Sequence, residues 1–152
     1  MNTVINKIVR LSERDNLLNF LDQLEKIIYN QNIDVKTFIE KNAPFHISGE
    51  IIGFLGYVVD VRDTDLFSVR IKELKNDLKA LPVIRLTISF EPGNAFVDYL
   101  AHLFRNEFGN PVIFDFIKDE SILAGAIIEG ESRIGKYLLS EYFETRKEID
   151  GF

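Results

Sequence analysis

Apolar residues recur along the first half of the chain at helical spacing. Leu17, Leu21, Leu24 and Ile28 stand at i, i+4, i+7 and i+11, and Leu18 and Ile27 widen the stripe. Ser12-Glu13-Arg14-Asp15 precedes it. Ser12 can accept a bond from an unpaired backbone N–H, and the acids complement the positive helix end. This predicts a helix from Ser12 to about Tyr29, broken by Asn30-Gln31-Asn32. Ahead of it, Val4, Ile5, Ile8 and Val9 predict a short helix or arm ending near Leu11. Asp34 can cap a second helix through Lys41, with Val35, Phe38 and Ile39 inward and Asn42-Ala43-Pro44 as its stop.

The next run is ambiguous. Ile51, Leu55 and Val58, with Ile52 and Val59, keep helical spacing after a possible cap at Ser48, yet Gly53 and Gly56 weaken a helix. Tyr57 to Val61 would suit a strand on propensity. Helix is preferred, because the apolar positions do not strictly alternate. Asp63 or Thr64 then caps a longer helix. Phe67, Ile71, Leu74, Leu78 and Leu81 form its apolar face, Lys72, Lys75 and Lys79 its solvent face, and Pro82 ends it.

The period changes at Val83. From Val83 to Phe90 apolar and polar residues alternate, with Ile84, Leu86, Ile88 and Phe90 on one face of a half-buried strand. Glu91-Pro92-Gly93-Asn94 is a turn and cap. Phe96, Leu100, Leu103 and Phe104 follow as a helical stripe beside Ala101 and Phe108, stopped by Gly109. Val112 to Ile117 is a second strand, Ser121 to Leu123 a short turn, and Gly125 to Glu129 a third strand. Arg133-Ile134 belongs to a fourth piece, and Lys136 to Arg146 reads as a closing helix. The fold class is therefore α+β. A helical bundle (1–82) precedes a small β-α-β-β domain with a final helix (83–152).

Charge narrows the partners. Net charge is −6. Through Pro82 there are 11 Lys/Arg against 12 Asp/Glu, and from Val83 onward 7 against 12. The acidic second half argues against nucleic acid and anionic membranes as partners. No apolar run approaches the roughly 20 residues that span a bilayer. The N-terminus lacks a secretory pattern. Without cysteine there is no disulfide, thiolate ligand or thiol nucleophile.

Candidate chemistry is sparse. Gly130-x4-Gly135-Lys136 outlines a phosphate-binding loop between a strand and a helix. Against it, Tyr137 stands where Mg²⁺ needs a hydroxyl, and Glu129 and Glu131 would repel phosphate. The alternative is a glycine-turned hairpin with Gly125, Gly130 and Gly135 as its turn residues. Asp60-x2-Asp63-x-Asp65 lacks the glycine and distal glutamate of a calcium loop, and fits helix capping better. His46 and His102 have no partner at metal-ligand spacing, so no metal or cofactor is implied. Ser121 and Ser132 lie outside any nucleophile elbow. The carboxylates of Asp119-Glu120 are adjacent and diverge. No acid–base pair stands out, and the chain does not read as an enzyme.

The order of elements resembles the δ subunit of F-type ATP synthases, the bacterial counterpart of the oligomycin-sensitivity-conferring protein. Asp119-Glu120-Ser121-Ile122-Leu123-Ala124-Gly125-Ala126-Ile127-Ile128 resembles that family's acid, small-apolar-Gly-Gly turn and strand. Gly130 sits at the hairpin, and Ile134-Gly135-Lys136-Tyr137-Leu138 occupies the Ile-Asp-Gly-Ser position. Upstream, Phe54 to Leu66 is similar to the family's NFL-x-x-L-V-x-x-x-R-x-x-x-L helix and turn, and Leu17 to Asn42 resembles its second and third helices. There are departures. The chain is shorter, and the first helix lacks the Tyr-Ala-x-Ala-Leu opening. No helix is evident between Pro44 and Ser48. Ala124 replaces a glycine, Gly135 the aspartate, and Glu141 a common basic residue.

The resemblance implies a non-catalytic stator protein without cofactor, peripheral to the cytoplasmic face of the plasma membrane. In that family the bundle holds the N-terminal helices of the α subunits, and the second domain holds the C-terminal helices of the b subunits. Leu17, Leu21, Leu24 and Ile28 are then candidates for positions shared between the core and the groove for α. Phe96, Leu100 and Phe104 are candidates for positions shared with the b helices. Two other readings stay open: a small ligand-binding or regulatory α+β domain, and an E-type stator subunit of a related rotary ATPase.

Overall fold

The structure is a computed structural model that describes residues 3–30, 32–61, 63–122, 125–130 and 133–138. It is an α+β protein that divides into two compact units, Met1–Leu81 and Pro82–Phe152. The first unit is helical: a 3₁₀ turn Ile5–Lys7, then α1 (Leu11–Ile27), α2 (Val35–Asn42), a 3₁₀ turn Pro44–His46, α3 (Ser48–Leu55), α4 (Val58–Val61) and α5 (Thr64–Lys79).

The helix starts follow side-chain chemistry, with two corrections. Asp34 and Asp63 cap α2 and α5, accepting from the backbone N–H of Thr37 at 2.9 Å and of Leu66 at 3.0 Å. Ser12, expected as a cap, lies inside α1. Glu13 reaches back instead and accepts from the N–H groups of Val9 and Arg10 at 2.9 and 3.0 Å. Ser48 likewise opens α3 without a side-chain cap. The ambiguous run is helical but interrupted. Gly56 ends α3 at φ 61°, ψ −143°, a region essentially confined to glycine, and α4 begins two residues later. Between Pro44 and Ser48 the chain makes a single 3₁₀ turn, in which Phe45 and His46 both take φ 56°.

The bundle core is the set of stripes that periodicity predicts. Leu17, Leu21 and Leu24 of α1 and Phe67, Ile71, Leu74 and Leu78 of α5 are fully enclosed. Phe20, outside the predicted stripe, is also buried and stacks on Phe38 of α2 at 6.0 Å. Lys75 departs from expectation. It lies on the α1–α5 seam, its side chain only 13% exposed, with Nζ 2.6 Å from both Asp22 and Glu25.

The second unit contains β1 (Val83–Ile88), α6 (Asn94–Phe108), β2 (Ile113–Lys118), β3 (Gly125–Gly130) and β4 (Arg133–Leu138). The sheet order is β2-β1-β3-β4, with β1 parallel to β2 and antiparallel to β3, and β3 antiparallel to β4. A parallel neighbour needs a crossover, and α6 supplies it. The strand β1 ends at Ile88, so Phe90 is no longer part of it and is exposed. Gly109 closes α6 in the left-handed region at φ 71°. Register fixes the faces. Ile84, Leu86 and Ile88 share one face with Phe114, Phe116, Ala126 and Ile128. α6 packs on that face, where the Phe104 ring meets Phe114 edge-on at 5.3 Å.

The closing helix requires correction. Residues 133–138 are a strand, so the chain does not turn helical at Lys136. The remainder of that predicted helix, with Tyr142, Phe143 and Glu141, lies outside the described residues, as do Leu123, Ala124, Glu131 and Ser132.

Candidate functional site

The phosphate-loop outline fails on geometry. Gly135 pairs with Ile128 and Lys136 with Ile127 in the β3–β4 ladder. A phosphate loop needs these residues at a helix N-terminus, with free N–H groups pointing at the anion. Gly130 pairs with Arg133 and closes the hairpin, and Gly125 opens β3 at φ 115°. These two glycines serve backbone needs at turns. Gly135 lies mid-strand and is no turn residue.

The other candidates also resolve into local structure. Asp63 is a helix cap, and no cluster suited to a metal ion occurs among the described residues. His102 Nε2 lies 3.0 Å from the side-chain amide of Asn106, and His46 sits in the 3₁₀ turn. Asp119 forms the turn between β2 and β3. Its Oδ1 accepts from the Ser121 hydroxyl at 2.6 Å and the Ser121 N–H at 2.9 Å. Those two bonds, the hydroxyl first, hold the Asp119 carboxyl below its ordinary range. Open grooves of about 530 and 550 Å³ lie beside Asp22, Glu25, Lys26 and Tyr29, and beside Asn6, Lys7, Gly49 and Glu50. Several of their charges are already paired: Asp22 and Glu25 with Lys75, and Lys7 with Glu50 at 3.8 Å.

The predicted docking positions separate into two groups. Leu17, Leu21 and Leu24 have no accessible surface, and Ile28 is buried. They belong to the bundle core and have nothing to share with a groove. The α6 positions differ. Phe96 is 37% exposed, while Leu100 and Phe104 are half-buried. The inward stripe of α6 is Val97 and Ala101, both 2% exposed, with Phe104 beside them. The stripe is thus rotated from the predicted one, and Phe96 and Leu103 fall outside it.

What sequence reading missed is the consequence of that rotation. Phe96, Tyr99 and Leu103, at i, i+3 and i+7, lie on one flank of α6 and are 37%, 64% and 40% exposed. Phe90 extends the flank, its ring meeting Phe96 edge-on at 5.5 Å. Aromatic side chains normally bury large areas, so four large apolar groups on one flank mark a surface that a partner could cover. The sheet below is also wider than its cover. Strands spaced about 4.8 Å apart make four strands broader than one helix of roughly 10 Å diameter. Ala126 and Ile128, on the α6 side of β3, are half-buried. The signal for this flank was present as Val97-x3-Ala101, small residues that allow close helix–sheet approach. It was masked by the larger residues around them.

No protein-family model matches the chain, and no curated protein matches it.

Proposed function

We propose that this chain is a non-catalytic peripheral-stalk component of an F-type ATP synthase, joining the catalytic head to the helices of the b subunits. The observation that carries the reading is the flank Phe90–Phe96–Tyr99–Leu103 on α6. A stator must hold an amphipathic helix against torque, and an apolar strip at i, i+3, i+7 spacing suits helix-against-helix packing. The resemblance of residues 119–128, 134–138 and 54–66 to the δ-subunit family supplies the identity of the partners. The order of a helical bundle before a β-α-β-β unit fits it as well. Asp119 gives the family's acid a physical task, because it shapes the turn into the β3–β4 hairpin.

On this reading the C-terminal helices of the b subunits seat on the α6 flank. The N-terminal helices of the α subunits contact the bundle through exposed residues such as Tyr29, Tyr57 and Val69, since the α1 leucines are enclosed. The test is direct binding of the full chain to two synthetic peptides. One copies the N-terminal helix of α, the other the C-terminal helix of b. The b peptide is expected to bind wild type and to lose affinity for Tyr99→Ser and Leu103→Ser. Binding to neither peptide overturns the reading.

A further inference from the structure

The apolar flank of α6 is bordered by charge of one sign. From Phe90 to Phe104 the chain holds Glu91 and Asp98 and no lysine or arginine. Both acids are exposed. Arg105, the next cation, follows Val97 and Ala101 at four-residue steps and continues the sheet-facing stripe. Other carboxylates of this unit are engaged. Asp115 and Glu129 lie 3.1 and 4.0 Å from Arg85, Glu120 lies 2.6 Å from Lys118, and Asp119 accepts from the Ser121 hydroxyl at 2.6 Å. Glu91 and Asp98 have no hydrogen bond or ion pair among the described residues.

Their positions suit the rim of a docking surface. Glu91 directly follows Phe90, whose ring meets Phe96, so it stands at one end of the flank. Asp98 precedes Tyr99 and stands about 100° from it around the helix, on the side away from Phe96 and Leu103. Tyr99, at 64%, is the most exposed member of the flank, so a helix that covers its ring comes alongside Asp98. Lysine and arginine lay their stems along apolar surface while the charged head reaches the edge. The field of the unit acts at longer range. From Val83 onward there are 7 Lys/Arg against 12 Asp/Glu, which draws in a cationic ligand and repels an anionic one.

We propose that the helix seated on the α6 flank is basic along its edges, with lysine or arginine beside its apolar stripe. The inference rests on the docking reading and adds the charge of the partner. Apolar contact holds the helix. The unpaired carboxylates speed its arrival and disfavour an acid-edged helix with the same apolar pattern. On the stalk reading, the C-terminal helix of b presents that basic edge at the flank.

Two synthetic helical peptides test it. They share one leucine stripe and differ only at the positions bordering it, lysine in one and glutamate in the other. Association and dissociation rates with the full chain are measured at low and high salt. The proteins are wild type, Glu91→Gln with Asp98→Asn, and Tyr99→Ser with Leu103→Ser. At low salt wild type is expected to take up the lysine peptide about tenfold faster than the glutamate peptide, and the gap should close as salt rises. Glu91→Gln with Asp98→Asn should slow association of the lysine peptide about threefold and leave its dissociation nearly unchanged. Tyr99→Ser with Leu103→Ser should lose it. Equal uptake of both peptides, abolished by Tyr99→Ser with Leu103→Ser, would overturn the basic edge and leave the docking reading standing. A lysine preference that survives Glu91→Gln with Asp98→Asn in full would remove these two acids from the rim and sink the proposal as stated. Lysine-peptide binding untouched by Tyr99→Ser with Leu103→Ser would mean attraction by charge alone and overturn the flank as the seat.

Discussion

At the scale of single residues, Lys75 shows how a position read as solvent-facing becomes a clamp. It sits beside the apolar face of α5 and reaches Asp22 and Glu25 of α1, one turn apart. The hydrogen bond from Lys75 holds the Asp22 carboxyl below its ordinary range. Burial works to lower the Lys75 pKa, but the hydrogen bonds to the two carboxylates outweigh it and leave it raised. A carboxyl with a lowered pKa contributes stability that is present above its unfolded value and lost as pH falls through its folded value. An amine with a raised pKa contributes stability that is present below its unfolded value and lost as pH rises through its folded value. Lys75→Met should therefore cost about 1 kcal/mol across the neutral range, a modest figure because Asp22 is largely solvated. The margin of wild type over the variant should shrink at both the acidic and the alkaline end. Urea midpoints over a pH series check this. A margin that does not change with pH would assign the cost to lost packing.

At the scale of elements, the chain's periodicity carried the fold where one face is clearly apolar. The helices α1, α2 and α5 and the strands β1, β2 and β3 stand where spacing of apolar residues places them, within a residue or two. Failures have specific causes. Ser12 lost its capping role because Glu13, one residue on, reaches two N–H groups at once. The final segment read as a closing helix from Lys136 to Arg146, a stretch crowded with Tyr137, Tyr142 and Phe143. Yet two residues between Gly130 and Arg133 are enough for the chain to return as β4 and pair along β3. The α6 face was misplaced because Phe96, Val97, Tyr99, Leu100, Ala101, Leu103 and Phe104 are apolar around more than half the helix, so spacing alone admits several inward stripes. Two substitutions test the element boundaries. Gly56→Ala should destabilise the protein by about 1–3 kcal/mol, since φ 61° with ψ −143° excludes a side chain's usual conformations although open space surrounds the position. Thermal denaturation measures it, and a neutral result would mean that α3 and α4 can rejoin as one helix. Lys136→Ala should leave ATP affinity at the background level of wild type in equilibrium dialysis, because Lys136 lies within the β3–β4 ladder. ATP binding by wild type that the substitution abolishes would restore the phosphate loop.

At the scale of the whole molecule, buried and displayed apolar surface play different parts. The bundle hides its predicted docking leucines completely, whereas α6 displays Phe96, Tyr99 and Leu103 beside Phe90. Removing enclosed atoms from a core leaves a cavity, so Leu74→Ala should cost about 2–5 kcal/mol. Removing side chains that already face water costs far less, and surface substitutions commonly stay within about 0.5 kcal/mol each. The triple variant Phe96→Ser, Tyr99→Ser, Leu103→Ser should therefore keep most of its stability, apart from the Phe96 ring's contact with Phe90. In binding the order reverses. Interface energy concentrates in a few large apolar anchors, so the triple variant should reduce affinity for the b peptide by about a hundredfold or more. Leu74→Ala, measured at a temperature where it remains folded, should bind that peptide as wild type does. Paired melting curves and titrations on both variants decide the matter. If the triple variant unfolds as readily as Leu74→Ala, the flank is core that α6 shares with another part of the same chain. If it stays folded and binds the peptide unchanged, the stalk helix seats elsewhere and the α6 flank has no part in holding it.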